Sequence, residues 1–242
     1  MKIYKYRDLS NPGDDDFERL GAAVHRHLVW CARPDTLNDP QEFVWSCDYT
    51  PTDATLDLLT EVLIKARRRM REDAKVIAAI ALQSGRLESV AAPVIGGMIE
   101  QCCREIGLVC FGTTPDNDVL WQRYGGGGAG LCVEFEVPDD LLGTQLQRVQ
   151  YLDEKRLHVD QLLRAFTEHG YGQTVYDLAL LSKGMYWASE EEVRFVSQQH
   201  SILVAIDRSQ VSCVFLGDEL TADVRETVRR IVFPAPLANR HR

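Results

Sequence analysis

The 242-residue chain has no Cys-x-x-Cys pair and no surplus of positive charge. It also has no apolar run near the ~18 residues of a membrane helix. Each absence excludes a class. Seven cysteines at these spacings do not make a zinc framework, and most lie inside apolar runs, as buried reduced thiols do. A formal net charge of -9 argues against a general nucleic-acid binder, whose nonspecific affinity rests on neutralising phosphates. The basic stretch Lys65, Arg67, Arg68, Arg69 and Arg71 covers several faces of a helix and reads as solvated surface. Met1 to Tyr4 lacks a signal-peptide core. Ser-His-Asp spacing, HExxH and a nucleophile elbow are missing, and so are repeats and low-complexity linkers. These features predict a soluble cytoplasmic protein that needs neither a membrane nor a metal.

What is present is a chain 45% hydrophobic, enough for a sizeable core. Short strands are predicted at 2–7, 27–31, 43–47, 108–111, 131–137, 147–151, 193–197, 202–206 and 212–216. Helices are predicted at 17–23, 118–124, 153–168, 173–184 and 221–231. Leu58, Leu59, Val62 and Leu63, then Val76, Ile77 and Ile80, then Ile95, Met98 and Ile99, recur with helical spacing. Residues 54–106 therefore form two or three helices, broken at Ser84-Gly85 and near Pro93. Pro234 and Pro236 should end the regular structure. The pattern is α+β, with a mixed or antiparallel central sheet in one domain, 1–242, and a helical insertion at about 54–106.

Four groups mix aromatic with charged residues: Tyr4-Lys5-Tyr6-Arg7, Asn38-Asp39-Pro40 with Glu42, Trp121-x-x-Tyr124 before glycines, and Trp187-x-x-Glu190-x-Glu192-x-Arg194. A packed core has no need of such mixtures, whereas a cleft for a flat, charged small molecule does. Arg7 can pair with a carboxylate such as Glu192, or grip a phosphate through two hydrogen bonds. Asp39 and Glu42 suit a turn first and Mg²⁺ second. Trp121 and Tyr124, three apart on one helical face, are core or a stacking platform. Gly125 to Gly128 fail the phosphate-loop test, because a strand and not a helix follows. Glu190 and Glu192 share a face with Arg194 if a strand has already begun at 190.

Taken in this order, the four groups resemble a large bacterial family of domains of unknown function. The resemblance spans Tyr4 to Arg7, Asn38 to Glu42, Phe111 to Gly130, Lys183 to Arg194 and Phe215-Leu216-Gly217. The chain departs from that family at Gly112, where serine is common, and at the glycine run. The order is also similar to that of the ADP-ribosyltransferase fold. That resemblance implies NAD as substrate and a protein or nucleic-acid acceptor, and it suggests an effector in phage defence. It further implies that Arg7 holds the NAD phosphates or the nicotinamide ribose and that Thr113 or Thr114 supports the ribose region. Tyr124 would stack near nicotinamide; Trp121 enters the candidate ring-binding residues only through the stacking platform read from its spacing to Tyr124. Glu192 would stabilise the oxocarbenium, and Glu190 would orient the acceptor. Two rival readings stand beside this one. One is a metal-dependent phosphodiesterase or nuclease using Asp39, Glu42, Glu190 and Glu192. The other is a binding module whose charges only brace the fold.

Overall fold

In the computed structural model the described residues are 1–39, 46–67, 70–233 and 235–239. The fold is α+β, with mixed and antiparallel sheets. The chain divides into two compact units. The first holds 1–36, 106–149 and 186–242; the second holds 37–105 and 150–185. Among the described residues no helix is long and apolar enough to cross a membrane.

The first unit is built on strand β1 (Lys2–Asp8), which pairs antiparallel with β5 (Gly130–Glu136). β5 pairs in turn with β12 (Gln210–Leu216), and β13 (Leu237–Asn239) lies parallel to β12. A second sheet joins β4 (Gly107–Phe111), β10 (Val193–Ser197) and β6 (Leu146–Arg148). β2 (Leu28–Cys31) and β11 (Ile202–Ala205) make a two-stranded ribbon. Strand alternation sends Ile3, Lys5 and Arg7 to one face of β1 and Tyr4 and Tyr6 to the other. On the first face Ile3 joins Val133 and Phe135 of β5 and Val214 of β12 in the main core. Helices α1 (Asp14–Arg26) and α8 (Ala222–Val232) close this core with Leu20, Val24, Val228 and Val232. On the second face lies helix α5 (Asp118–Tyr124), whose Leu120 and Trp121 pack on Tyr4, Tyr6 and Cys132.

The second unit is mainly helical. Helices α2 (Thr55–Arg67), α3 (Arg71–Gln83) and α4 (Leu87–Glu105) share a core with α6 (Val159–Thr167) and α7 (Tyr171–Leu180). Two small parallel pairs accompany them: β3 (Ser46–Asp48) with β8 (Arg156–His158), and β7 (Gln150–Leu152) with β9 (Ser182–Gly184). The two or three helices expected at 54–106 are three, and they form one body with residues from 150–185. In the basic stretch Arg71 pairs with Glu61 at 2.6 Å, while Arg68 and Arg69 lie outside the described residues.

Several local expectations change. Pro93 sits inside α4 without ending it, because burial of Ala91, Val94 and Ile95 outweighs the one lost backbone bond. The strand expected at 147–151 splits at Val149 into β6 and β7. Regular structure continues past Pro236, since β13 finds a parallel partner in β12. β5 is not half-exposed: Glu134 is 5% exposed, as buried as its apolar neighbours. Most of the strand predicted at 43–47 lies outside the described residues.

Candidate functional site

The Glu190-Glu191-Glu192 step, in the first unit, puts three carboxylates in a row beside α5. The strand starts only at Val193, and Glu191 takes a left-handed backbone with φ 46°. That twist cancels the alternation expected of Glu190 and Glu192 and sends three adjacent carboxylates to three different partners. A left-handed non-glycine residue costs roughly 1–2 kcal/mol, so neighbouring contacts must hold it.

Glu190 is buried and accepts from Arg123 Nη1 at 3.0 Å and from the Tyr124 hydroxyl at 3.0 Å. Glu191 is exposed, and its Oε2 accepts from Thr113 Oγ1 at 2.9 Å. Glu192 is buried and is held by Arg194, Nε to Oε1 at 2.7 Å and Nη2 to Oε2 at 3.1 Å. Cys110 lies directly across the β4–β10 ladder from Arg194. Burial pushes its thiol up to about 12, and the Glu192 anion adds to the effect, so it is no thiolate nucleophile at neutral pH.

Helix α5 places Arg123 and Tyr124. Asn117 caps it, its side chain accepting from Leu120 N at 3.1 Å and donating from Nδ2 to the Ser189 carbonyl at 2.7 Å. One residue therefore starts the helix and docks the segment that carries Glu190. The Arg123 guanidinium lies 4.3 Å from the Trp187 ring centre and 5.4 Å from that of Tyr186, a cation–π arrangement. Tyr186 is 78% exposed, and its ring meets Trp187 edge-on at 5.5 Å.

The residues singled out from sequence do not all meet. Thr113, Tyr124 and Glu190 do gather around α5. Thr114 serves local structure: its carbonyl accepts from the Tyr6 hydroxyl at 2.6 Å, and its Oγ1 accepts from Asp116 N. Trp121 is not a stacking platform. It is fully buried, edge-on to Tyr6 at 5.3 Å, with Nε1 donating to the Pro115 carbonyl at 2.7 Å. Arg7 does not join Glu192 either. It points to the other face of β1 and pairs with Asp16 of α1 at 2.9 Å. Asp39 is buried, and Glu42 lies outside the described residues. Among the described residues no group of three His, Cys, Asp or Glu side chains is arranged around a metal position.

Glycine at 112 and at 126–128 has packing reasons. A Cβ on Gly112 would come 2.5 Å from Leu120 Cδ1. In the glycine run, Gly126, Gly127 and Gly128 all have positive φ, and a Cβ on Gly126 would meet Asp8 Oδ1 at 2.3 Å. The run turns the chain tightly between α5 and β5.

Sequence reasoning missed Arg123, Tyr186, Asn117 and Glu191. Only Asn117 carried a local signal, as an N-cap residue before Asp118. Comparison of the chain with known protein families, with curated proteins and with solved structures found no match.

Proposed function

We propose that this chain binds NAD or a similar nucleotide and cleaves it as an ADP-ribosyltransferase-like enzyme, using the surface formed by α5 and residues 186–191. The observation that carries this reading is the Glu190–Arg123–Trp187/Tyr186 chain: a guanidinium fixed by a buried carboxylate and set against two rings. A flat heterocycle stacks on such rings, and a phosphate is drawn to such a cation. Thr113 and the exposed Glu191 stand at the end of the same segment. In cleavage the ribosyl C1′–N bond breaks and nicotinamide leaves with the electron pair. The carboxylate nearest the resulting oxocarbenium then stabilises it. Glu192 is already neutralised by Arg194, and Glu190 is engaged with Arg123 and Tyr124. Glu191 is the exposed carboxylate of the three, so this role is assigned to Glu191 and the positioning of Arg123 to Glu190. The acceptor, a protein or nucleic acid, and a setting in bacterial phage defence follow from family resemblance alone.

The test is nicotinamide release from NAD by the full chain. Glu191→Gln should lower it by about 100-fold with the melting temperature unchanged. A second reading has its own support: Arg7, Glu190 and Glu192 each have an intramolecular partner, as expected of charges that brace a binding module. If no nicotinamide appears, no nucleotide raises the melting temperature, and Glu190→Gln only destabilises, that second reading replaces the first.

A further inference from the structure

On the opposite side of the β1–β5 sheet from α5, a small hollow of about 20 Å³ opens among Lys5, Arg7, Arg19 and Trp30, with Val133 and Phe135 beneath. Its size admits one oxygen-sized atom and leaves anything larger in the mouth. Three of its walls are cations. Two of them have only modest neutralisation. Arg7 gives one hydrogen bond to Asp16, and Arg19 stands 3.6 Å from an Asp15 that is itself largely in solvent. The Arg19 guanidinium lies 4.2 Å from the Trp30 ring centre, which fixes its plane.

Lys5 is the third cation. Its ammonium donates to the Cys110 carbonyl at 2.9 Å and lies 5.9 Å from the Phe111 ring centre. Among the described residues no carboxylate reaches it within ion-pair distance. An ammonium has three protons to give, so one carbonyl leaves two uncommitted. Burial pulls the Lys5 pKa below its ordinary value and the Arg7 charge adds to this, while the more distant Glu192 anion offsets only part of it. The net lowering is the cost of holding a desolvated cation with no carboxylate in direct contact.

We infer that Lys5, Arg7 and Arg19 form a binding site for a small oxyanion, a phosphate group or a carboxylate, with one oxygen seated in the hollow. The bound anion supplies the contacting counter-charge that Lys5 lacks. This site goes beyond the nucleotide surface proposed above and shares no residue with it.

The test is thermal unfolding of the full chain in inorganic phosphate, in acetate and in chloride at matched ionic strength. Phosphate, acetate or both should raise the melting temperature above the chloride value, and which of them does so identifies the group bound. Lys5→Met should melt higher than wild type in chloride, because a desolvated charge has gone, yet it should lose the oxyanion gain. Arg19→Gln should weaken binding by about tenfold, the loss of one charge-assisted contact. If chloride matches phosphate and acetate, or if Lys5→Met keeps the full gain, the site does not exist. Should Lys5→Met fail to fold, an undiminished gain in Arg19→Gln overturns it equally.

Discussion

Arg194 grips both oxygens of Glu192, two residues earlier in the chain, from a position wholly shielded from solvent. A side-on guanidinium–carboxylate pair of this kind satisfies both charges at once. Removing one partner strands the other in a low-dielectric interior. Arg194→Met should therefore cost about 3–5 kcal/mol in urea unfolding. Nicotinamide release per folded molecule should be unchanged in Glu192→Gln. If instead Glu192→Gln abolishes turnover and leaves stability intact, the catalytic role returns to Glu192.

Glu134 contributes to the acid limb of stability. Burial alone would raise its carboxyl pKa, but hydrogen bonds from Ser212, Lys2 and Tyr4 pull it below the ordinary 4.5. The unfolded chain then binds this proton more readily than the folded chain does. The stability it supplies is complete above pH 4.5 and is lost as pH falls through the lower folded value. Glu134→Gln should flatten that part of the stability–pH curve and cost about 1–3 kcal/mol at neutral pH, read by denaturant titration across pH.

In the second unit the Asp160 carboxylate accepts from Thr52 Oγ1 at 2.5 Å and Thr55 Oγ1 at 2.7 Å, so that α6 is tied to the start of α2. Asp160 and Thr55 are both buried. Thr55→Val keeps the shape and removes one donor, leaving the carboxylate under-satisfied. A loss of about 1–3 kcal/mol is expected in unfolding monitored within this unit.

Gly217 and Gly126 are tied to backbone approach. A Cβ on Gly217 would come 2.0 Å from the Gly128 carbonyl oxygen, and Gly126 has φ 59° with Asp8 beside it. Gly126→Ala should cost about 1–3 kcal/mol. Gly217→Ala should cost at least as much, because backbone must shift. Gly184→Ala, with open space around it, is the control expected to change little in the same melting series.

Local signals carried the elements well. Asp118–Tyr124 and Val193–Ser197 form where the residues predicted them, since capping at Asn117 and a run of valine and phenylalanine are local facts. The candidate site was legible only in part. Thr113, Tyr124 and Glu190 converge, but the grouping of Arg7 with Glu192 failed, because Arg7 lies on the face of β1 that meets Asp16 of α1, while Glu192, just before β10, is held by Arg194. Arg123 gave no sign in the sequence, because its use depends on rings more than sixty positions away. The Glu190/Glu192 pairing rested on strand alternation, and a single left-handed residue removed it.

Composition and periodicity determined that this chain would be α+β, with helices where apolar residues recur every third or fourth position and strands where β-branched and aromatic residues run together. Those are properties of neighbours in sequence, and the backbone obeys them locally. Tertiary structure alone decided which charge meets which. Arg7 took Asp16, Arg194 took Glu192, Arg123 took Glu190, and Lys5 was left facing a hollow. Strand pairing and helix docking set those distances, and electrostatic energy depends on distance rather than on sequence order.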